Sequence, residues 1–378
     1  MRTEQSQWRP EVGWDRPLGS LADAQLVLVF GSGRGLEDAD TLAGISLAYP
    51  NAHVVGCSTA GEICGTHVSD DSLSLTAVRF DRSRVACVDT DLREHAGSAR
   101  AGAALAERLD PKGLAHVLVL SDGQHVNGSD LVRGVTSRLP PGVQLTGGLA
   151  GDGARFQRTL IVRGAEPPRE DRIVLVGLYG DRLQVGYGSL GGWDSFGPQR
   201  RITRSRGNVL YELDGEPALD LYKRYLGEHA AGLPSTGLLF PLSIEQPGGT
   251  REVVRTILAV DEGEHSLTFA GDLPEGANAR LMKANFDRLV DGAQGAAKTS
   301  SDALEGGNAE LALLISCVGR KLVLRGRVEE ELEAVRDVLG PQAAMTGFYS
   351  YGEISPAAPH AACDLHNQTM TITTLRET

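Results

Sequence analysis

Apolar and polar residues follow two different periods along the chain. Short runs of about four to seven apolar and β-branched residues, such as LVLVF at residues 26–30, predict buried strands. Between the strands lie segments with helical spacing, and at residues 328–339 apolar side chains recur on one helix face while glutamates occupy the other. The pattern indicates an α/β fold with helices packed on the sheets. Helices are predicted at residues 36–49, 98–109, 129–139, 216–226, 286–303 and 328–339.

The same order of elements occurs three times. Strand, helix, strand and strand follow one another at residues 26–78, 117–162 and 311–373. We predict three β-α-β-β units, in which the helix connection places the first two strands in parallel. In the second unit the closing strand is predicted at residues 159–162. Because each closing strand follows its neighbour without a helix, mixed sheets are expected.

Length indicates more than one hydrophobic core. A chain of 378 residues exceeds the size at which a single core stops growing. Near residue 205 the recurring order of predicted strands and helices ends and a different order begins. We predict an N-terminal extension at residues 1–24 and two domains, at residues 25–205 and 206–378.

Composition excludes several classes of function. No apolar run approaches the length of a membrane-spanning helix, and residues 1–15 lack the apolar core of a secretory signal. The five cysteines are scattered and form no CxxC pair, which favours the reducing cytoplasm. A net charge of −12 opposes contact with nucleic acid. We therefore expect a cytoplasmic protein with no membrane insertion and no nucleic-acid partner.

Each unit carries the same turn after its second strand. The strand reaches a glycine, and a second glycine followed by an acid comes four or five residues later. One interpretation is a ligand site, since strand carboxyl ends converge on a crevice and glycines let a ligand approach the backbone. The other is a bend whose acid accepts hydrogen bonds from its own turn. The glycines are Gly56, Gly147 and Gly347, and the acids are Glu62, Asp152 and Glu353.

Cys57 raises the question of catalysis. It ends a strand in a glycine-flanked turn, and His67 and Asp70 follow, which gives the residue types of a nucleophile, a base and an orienting acid. A cysteine in such a turn is also an ordinary small packing residue. A hydrolase or transferase dependent on Cys57 is therefore the alternative of another class, and we expect no enzyme.

Further candidates follow the strands of the third unit. Tyr349 and Tyr351 stand beside glycine and form either the wall of a small-molecule pocket or part of a domain interface. Arg320 offers either a two-pronged contact to a carboxylate or a structural ion pair.

Several segments together resemble the FIST family, in the family's order from about residue 25 to the end. The resemblance implies a sensory module of bacterial signal transduction that binds a small ligand such as an amino acid. No kinase or cyclase segment is recognised, so the output is expected to pass through a separate signalling protein such as a histidine kinase, with a homodimer as a further option. The segments are GCSTAGEI (56–63), GGLAGD (147–152), ELDGEPALDLY (212–222), LPEG (273–276), ISCVGR (315–320), YSYGEISP (349–356) and HNQT (366–369).

Some standalone relatives are regarded as haem-binding sensors of nitric oxide that act on a histidine kinase. Haem is therefore an alternative cofactor here, although none of the nine histidines is assigned as its ligand, and the metal-ligating residues stay unknown. A scaffold without a ligand is a further alternative. The ligand-binding residues that we predict are Gly56, Cys57, Ser58, Thr59, Glu62, Gly147, Gly148, Asp152, Arg320, Tyr349, Tyr351 and Glu353.

Overall fold

The computed structural model describes residues 1–245, 252–357 and 361–378. The first half of the chain carries the first two predicted units. Its elements are β1 (Arg2–Arg9), β2 (Gly13–Trp14), β3 (Leu26–Gly31), α1 (Gly33–Leu36), α2 (Ala39–Ala48), β4 (His53–Ser58), β5 (Glu62–Cys64), β6 (His67–Ser69), β7 (Leu73–Arg79), β8 (Arg84–Asp91), α3 (Ser98–Ala106), β9 (Leu114–Ser121), α4 (Gly128–Thr136), β10 (Gln144–Leu149), β11 (Ile161–Arg163), β12 (Arg172–Tyr179) and β13 (Leu183–Leu190).

The second half contains a strand-rich segment followed by the third unit. Its elements are β14 (Trp193–Arg206), β15 (Val209–Leu213), β16 (Glu216–Pro217), α5 (Ala218–Leu226), β17 (Leu242–Glu245), β18 (Glu252–Arg255), β19 (Ile257–Asp261), β20 (Ser266–Phe269), β21 (Asn278–Ala284), α6 (Phe286–Asp302), β22 (Leu311–Cys317), α7 (Val318–Leu324), α8 (Val328–Leu339), β23 (Ala344–Ser350), β24 (Gly352–Pro356), β25 (Cys363–His366) and β26 (Met370–Glu377). All six predicted helices are present, whereas α1 and α7 were not predicted.

The three units have a common strand arrangement. In the first unit β3 pairs in parallel with β4 and antiparallel with β7. The second unit repeats this with β9, β10 and β12, and the third with β22, β23 and β26. The predicted parallel pairing is therefore confirmed in all three units. The predicted α/β class with mixed sheets and packed helices is confirmed as well.

The closing strand of the second unit was predicted wrongly. Residues 159–162 were expected to pair within their own unit, but β11 pairs antiparallel with β4 of the first unit. The closing strand is β12, which starts further along the chain. Both β11 and β12 are apolar runs in the sequence. Only their pairing shows which of the two closes the second unit.

β11 is one of the strands that cross between units. β5, which follows β4, pairs with β23 of the third unit, and β24, which follows β23, pairs with β10 of the second unit. Each unit thus lends a strand to one neighbour and receives a strand from the other. The exchange closes into a cycle, so the three sheets are interlocked.

The three units enclose a shared core. Leu28, Leu118 and Leu313 occupy equivalent places on the first strands and belong to the same buried cluster. Helices cover the outer faces, with α1 and α2 on the first sheet, α3 and α4 on the second, and α6 and α8 on the third. At the position of Leu26 and Leu311 the second unit instead has His116, which is buried.

The strands from β14 to β21 form an eight-stranded sheet with its own core, which we call the lobe. The boundary predicted at residue 205 lies near the end of β14, which enters the lobe. At the start of the chain, β1 pairs antiparallel with β7 and extends the first sheet. Among the described residues, no helix is both long enough and apolar enough to span a membrane.

Candidate functional site

Three equivalent backbone hydrogen bonds are among those that join the predicted turns, and we call this set of three the turn ring. In each bond, the donor is the backbone N–H of the fourth residue after the strand glycine of one unit. The acceptor is the carbonyl oxygen of the second residue after the equivalent glycine of a neighbouring unit. The turns therefore do converge. The bonds run from Ala60 to Tyr349 (2.8 Å), from Gly151 to Ser58 (2.9 Å) and from Tyr351 to Leu149 (3.3 Å).

The strand glycines lie against the backbone of the parallel neighbouring strand. A Cβ added at Gly147 would lie 1.9 Å from the carbonyl oxygen of Val119 in the parallel neighbour. Added at Gly56 or Gly347, it would lie 1.7 Å from the equivalent carbonyl oxygen. A Cβ at Gly148 would meet the side chain of Ile315 at 2.8 Å. These glycines are required by close backbone packing, as the bend interpretation supposes.

The two glutamates are buried and hydrogen-bonded within their own units. Glu62 accepts from the hydroxyls of Thr59 (2.6 Å) and Ser72 (2.7 Å). Glu353 accepts from the hydroxyls of Ser350 (2.6 Å) and Thr369 (3.0 Å), which hold the equivalent positions. Burial raises the pKa of Glu62 to about 7 and that of Glu353 to about 8, against the opposing effect of the hydrogen bonds. Each glutamate fastens its turn to the residue before the closing strand.

Asp152 holds a turn in a different way. Its carboxylate accepts backbone N–H bonds from Phe156 (2.8 Å), Gln157 and Arg158 (3.0 Å each), and a hydroxyl bond from Tyr351. The Tyr351 ring stacks on Phe156 with centroids 4.4 Å apart. Tyr351 therefore belongs to the packing between the second and third units.

Arg320 takes part in a buried ion pair. Its Nη2 donates to Glu331 at 2.8 Å, and the guanidinium also donates to the carbonyl oxygens of Gly191 (3.0 Å) and Leu289 (2.7 Å). Glu331 accepts from the hydroxyl of Tyr349 at 2.5 Å as well. Neither Arg320 nor Glu331 has exposed side-chain surface, so the structure places Arg320 and Tyr349 in a core network.

Cys57 lies apart from the residues proposed to activate it. Its side chain is buried in the shared core, and burial raises the pKa of its thiol well above the usual range. His67 is exposed and contacts Glu329 at 3.3 Å, while Asp70 forms an ion pair with Lys321. Among the described residues, no hydrogen bond connects Cys57 with either of them.

Three cavities occupy equivalent places around the units. One wall of each cavity is the segment that follows the first strand of a unit. Another wall is the segment that follows the second strand of a neighbouring unit, namely the neighbour whose strand pairs with this unit's sheet. We name them after the adjacent helix. The α1 cavity (about 490 Å³) is lined by Ser32, Gly33, Arg34, Glu37, Asp38, Asp71, Asp152, Arg155, Gln157, Arg158 and Leu160. The α4 cavity (about 360 Å³) is lined by Ser129, Val132, Arg133, Thr136, Arg255, Asp272, Pro274, Cys363 and Asp364. The α7 cavity (about 650 Å³) is lined by Ala60, Asp70, Gly153, Ala154, Ser235, Thr236, Leu239, Val318, Lys321, Leu322 and Arg325.

The chemistry of the three cavities differs. In the α1 cavity Arg158 bonds Glu37 at 2.5 Å, and in the α4 cavity Arg133 pairs with Asp130 and approaches Asp272 at 3.8 Å. Both are lined chiefly by polar and charged side chains. The α7 cavity is walled by alanine, valine and leucine, with cations at one edge. It therefore has the apolar lining and few polar groups that are typical of a small-molecule site.

Lys321 is fixed at the edge of the α7 cavity. Its Nζ donates to the carbonyl oxygen of Ala60 at 2.8 Å and pairs with Asp70, and its side chain is 17% exposed. A Cβ at Gly61 would lie 2.5 Å from this Nζ, and Gly61 has a φ of 143°. The second glycine of the first turn thus makes space for a lysine of the same chain.

Arg325 is the second cation at the edge. It is exposed and, within the described part of the chain, makes no hydrogen bond or ion pair through its guanidinium. Val318 and Leu322 are four positions apart on α7 and share one side of the helix. Arg325 follows the last helical residue and has a φ of 50°. Neither cation was predicted, because α7 is short, and the four-residue spacing of Val318 and Leu322 is the signal that could have revealed this helix.

Neither the α7 cavity nor the cavity beside His116 fits a haem. The lining of the α7 cavity has no histidine, cysteine, methionine or tyrosine to act as an axial ligand among the described residues. Buried His116 adjoins an enclosed cavity of about 20 Å³, which suits one water molecule and not a porphyrin. Its Nε2 contacts the Thr146 hydroxyl at 2.8 Å.

Comparison with known proteins gives two matches to domain families and several relatives. The FIST N domain matches residues 25–216, and the FIST C domain matches residues 218–356. Two uncharacterized Mycobacterium tuberculosis proteins, from different strains, are each 26% identical over 357 residues, covering 89% of this chain and 88% of theirs. An uncharacterized Methanocaldococcus jannaschii protein is 24% identical over 316 residues, covering 77% of this chain and 59% of its own. A solved structure of cyanuric acid hydrolase from A. caulinodans has a TM-score of 0.37 and 8% identity, covering 99% of both chains.

Proposed function

The chain belongs to the FIST family, with an N domain followed by a C domain, and on this premise we propose that it senses a small ligand bound in the α7 cavity. FIST domains are sensor domains of signal transduction. The observation that carries the proposal is the contrast among three equivalent cavities, of which the α7 cavity combines apolar walls with cations at one edge. A site of this kind binds molecules with an apolar body and a polar end.

The position of the α7 cavity suits a sensor. Its walls come from the lobe through the 3-10 segment Ser235–Leu239, from the third unit through α7, and from the turns of the first and second units through Ala60 and Ala154. A ligand there contacts parts that are distant in the chain. Binding that favours one arrangement of these parts over another shifts the population of conformers.

Lys321 provides a route from the ligand to the turn ring. A polar ligand group that contacts the remaining N–H of its ammonium shares the lysine with the carbonyl oxygen of Ala60, whose own N–H donates to Tyr349. We infer that occupancy alters the turn ring and is relayed to a separate signalling protein, such as a histidine kinase, in the bacterial cytoplasm.

The proposed function is binding without catalysis. The Cys57 thiol is buried and kept protonated by its apolar surroundings, and a nucleophilic cysteine needs the thiolate form. We therefore propose no enzymatic role for Cys57, and we expect Cys57→Ala to keep its ligand response.

A cavity-filling variant tests the site. Ala154 is exposed at the cavity rim, so Ala154→Trp fills the space without crowding the core, and Ala154→Ser is the matched control. We expect a panel of amino acids and small carboxylates to contain a compound that raises the melting temperature of the natural protein and of Ala154→Ser, but not of Ala154→Trp. An unchanged response in folded Ala154→Trp would place the ligand elsewhere.

A further inference from the structure

Resting on the proposed function, we propose that the ligand of the α7 cavity is a small apolar monocarboxylate and not a zwitterionic amino acid. The inference comes from the balance of charges at the cavity, from the arrangement of its apolar walls and from the lack of an uncompensated acid for an ammonium group.

The charges on the described lining leave one cation uncompensated. Lys321 and Asp70 form an ion pair, so their charges offset each other. Arg325 has no ionic partner in the described part of the chain. The lining therefore carries a net positive charge, which attracts a single anion more strongly than a molecule with no net charge.

The apolar walls fix the direction of the ligand. Val318 and Leu322 lie on the same segment as the two cations, and Leu239 comes from the lobe. A carboxylate next to Arg325 places its attached chain along these walls. Arg325 can bind a carboxylate with two parallel hydrogen bonds, and one N–H of Lys321 remains for a further contact after those to Ala60 and Asp70.

An ammonium group would find no uncompensated carboxylate. Asp70 is the single acid among the described lining residues, and its charge is already offset by that of Lys321. The carbonyl oxygen of Ala60 is occupied by the same lysine, and the Thr236 hydroxyl donates to the carbonyl oxygen of His229 at 2.8 Å. An α-ammonium would thus be desolvated beside another ammonium, which is unfavourable.

Two matched probes isolate the ammonium group. 4-Methylpentanoate and leucine have the same carbon skeleton and carboxylate, and differ by the α-ammonium alone. By titration calorimetry on the full chain we expect 4-methylpentanoate to bind at least about 10-fold more tightly than leucine, the value of one charge-assisted contact. Aromatic counterparts, 3-phenylpropionate and phenylalanine, should show the same order.

Two substitutions identify the groups responsible. Arg325→Gln should weaken the binding of 4-methylpentanoate by about 10-fold, because the uncompensated cation is lost. Asp70→Asn should leave this affinity unchanged or raise it, since removing the acid adds positive charge. Arg138→Gln is the control, because Arg138 is an exposed arginine that pairs with Glu107 away from the cavity, and it should have no effect.

The outcomes separate this inference from the proposed function. Leucine binding more tightly than 4-methylpentanoate, with the preference lost in Asp70→Asn, would overturn the ligand class and leave the α7 cavity as the site. Failure of all four probes would also overturn the class. If the carboxylates bind and neither Arg325→Gln nor Ala154→Trp changes their affinity, both the proposed ligand class and the α7 cavity as the site are wrong.

Discussion

The ammonium of Lys321 donates a hydrogen bond of 2.8 Å to the carbonyl oxygen of Ala60, and so joins α7 of the third unit to the turn of the first. Ala60 also donates to Tyr349 in the turn ring. Replacing Lys321 with methionine keeps most of the apolar stem and removes this tie. We expect faster hydrogen exchange at the amide of Ala60, measured by mass spectrometry on peptides that cover the first turn.

Lys223 offers a matched control for that substitution. It is an exposed lysine that pairs with Glu262 in the lobe. Lys223→Met should leave exchange at the first turn unchanged. Equal protection at Ala60 in the natural protein and in Lys321→Met would show that the ring does not depend on the lysine.

Replacement by alanine is expected to lower the stability of the protein at Gly147 and to raise it at Gly44. Gly147 has a φ of 148° and faces the carbonyl oxygen of Val119, so Gly147→Ala combines backbone strain with overpacking and should cost about 2–4 kcal/mol of unfolding free energy. Gly44 lies within α2 with open space around it, and Gly44→Ala should add about 0.5–1 kcal/mol. Denaturant unfolding measures both, and tolerance of alanine at Gly147 would contradict the close packing.

Adjacent glutamates on α8 distinguish a buried ion pair from an exposed one. Glu331→Gln leaves the charge of Arg320 without a partner in the core, and should cost about 3–5 kcal/mol. Glu330→Gln removes an exposed pair with Arg327 and should change stability by less than about 1 kcal/mol. Similar effects of the two substitutions on urea unfolding would argue against the core network around Arg320.

Glu353 and Glu62 should each lower stability as the pH rises above about 4.5, whereas buried His116, whose pKa is lowered to about 3, contributes in the opposite direction up to about pH 6.5. The pKa of Glu353 is raised from 4.5 to about 8 and that of Glu62 to about 7, so the unfolded chain releases these protons at lower pH than the folded protein does. Their stabilising contribution is complete below pH 4.5. It is lost as the pH rises through the pKa values that the two glutamates have in the folded protein. Each group contributes a slope of at most about 1.4 kcal/mol per pH unit.

Glu353→Gln tests this pH dependence, because it keeps the shape of the side chain without the titrating proton. Unfolding free energies measured from pH 5 to pH 8 should fall less steeply for this variant than for the natural protein. The exposed Glu107→Gln should reproduce the natural slope. Parallel curves for all three proteins would mean that Glu353 does not titrate in this range.

The repeated pattern of the sequence was sufficient to predict the units but not their exchange. Parallel pairs and helix positions follow from local periodicity, and those expectations are confirmed. The destination of β11 depends on a contact with β4 about 100 positions earlier, and local pattern carries no information on such pairing. The same limitation explains the wrong closing strand in the second unit.

The sequence indicated where the turns meet but not which side chains reach a cavity. Repetition of a glycine and an acid suggested a common ligand role for Glu62 and Glu353, yet both carboxylates are used within their own units. Equivalent positions in a repeat are constrained first by the packing that they share. Lys321 and Arg325 have no counterpart in the repeated motif, and a site that differs among the units is not found by searching for what the units have in common.

The cyclic exchange of strands also affects how the protein is made. As the chain leaves the ribosome, β4 and β5 appear early, whereas Gly347, the partner of Ile63, appears near the end of synthesis. Until then β5 has an open edge, and the first unit cannot complete its pairing while the chain is growing. The pairings of β5 with β23 and of β24 with β10 therefore close the cycle only after the third unit has been made, whereas β11 can pair with β4 earlier.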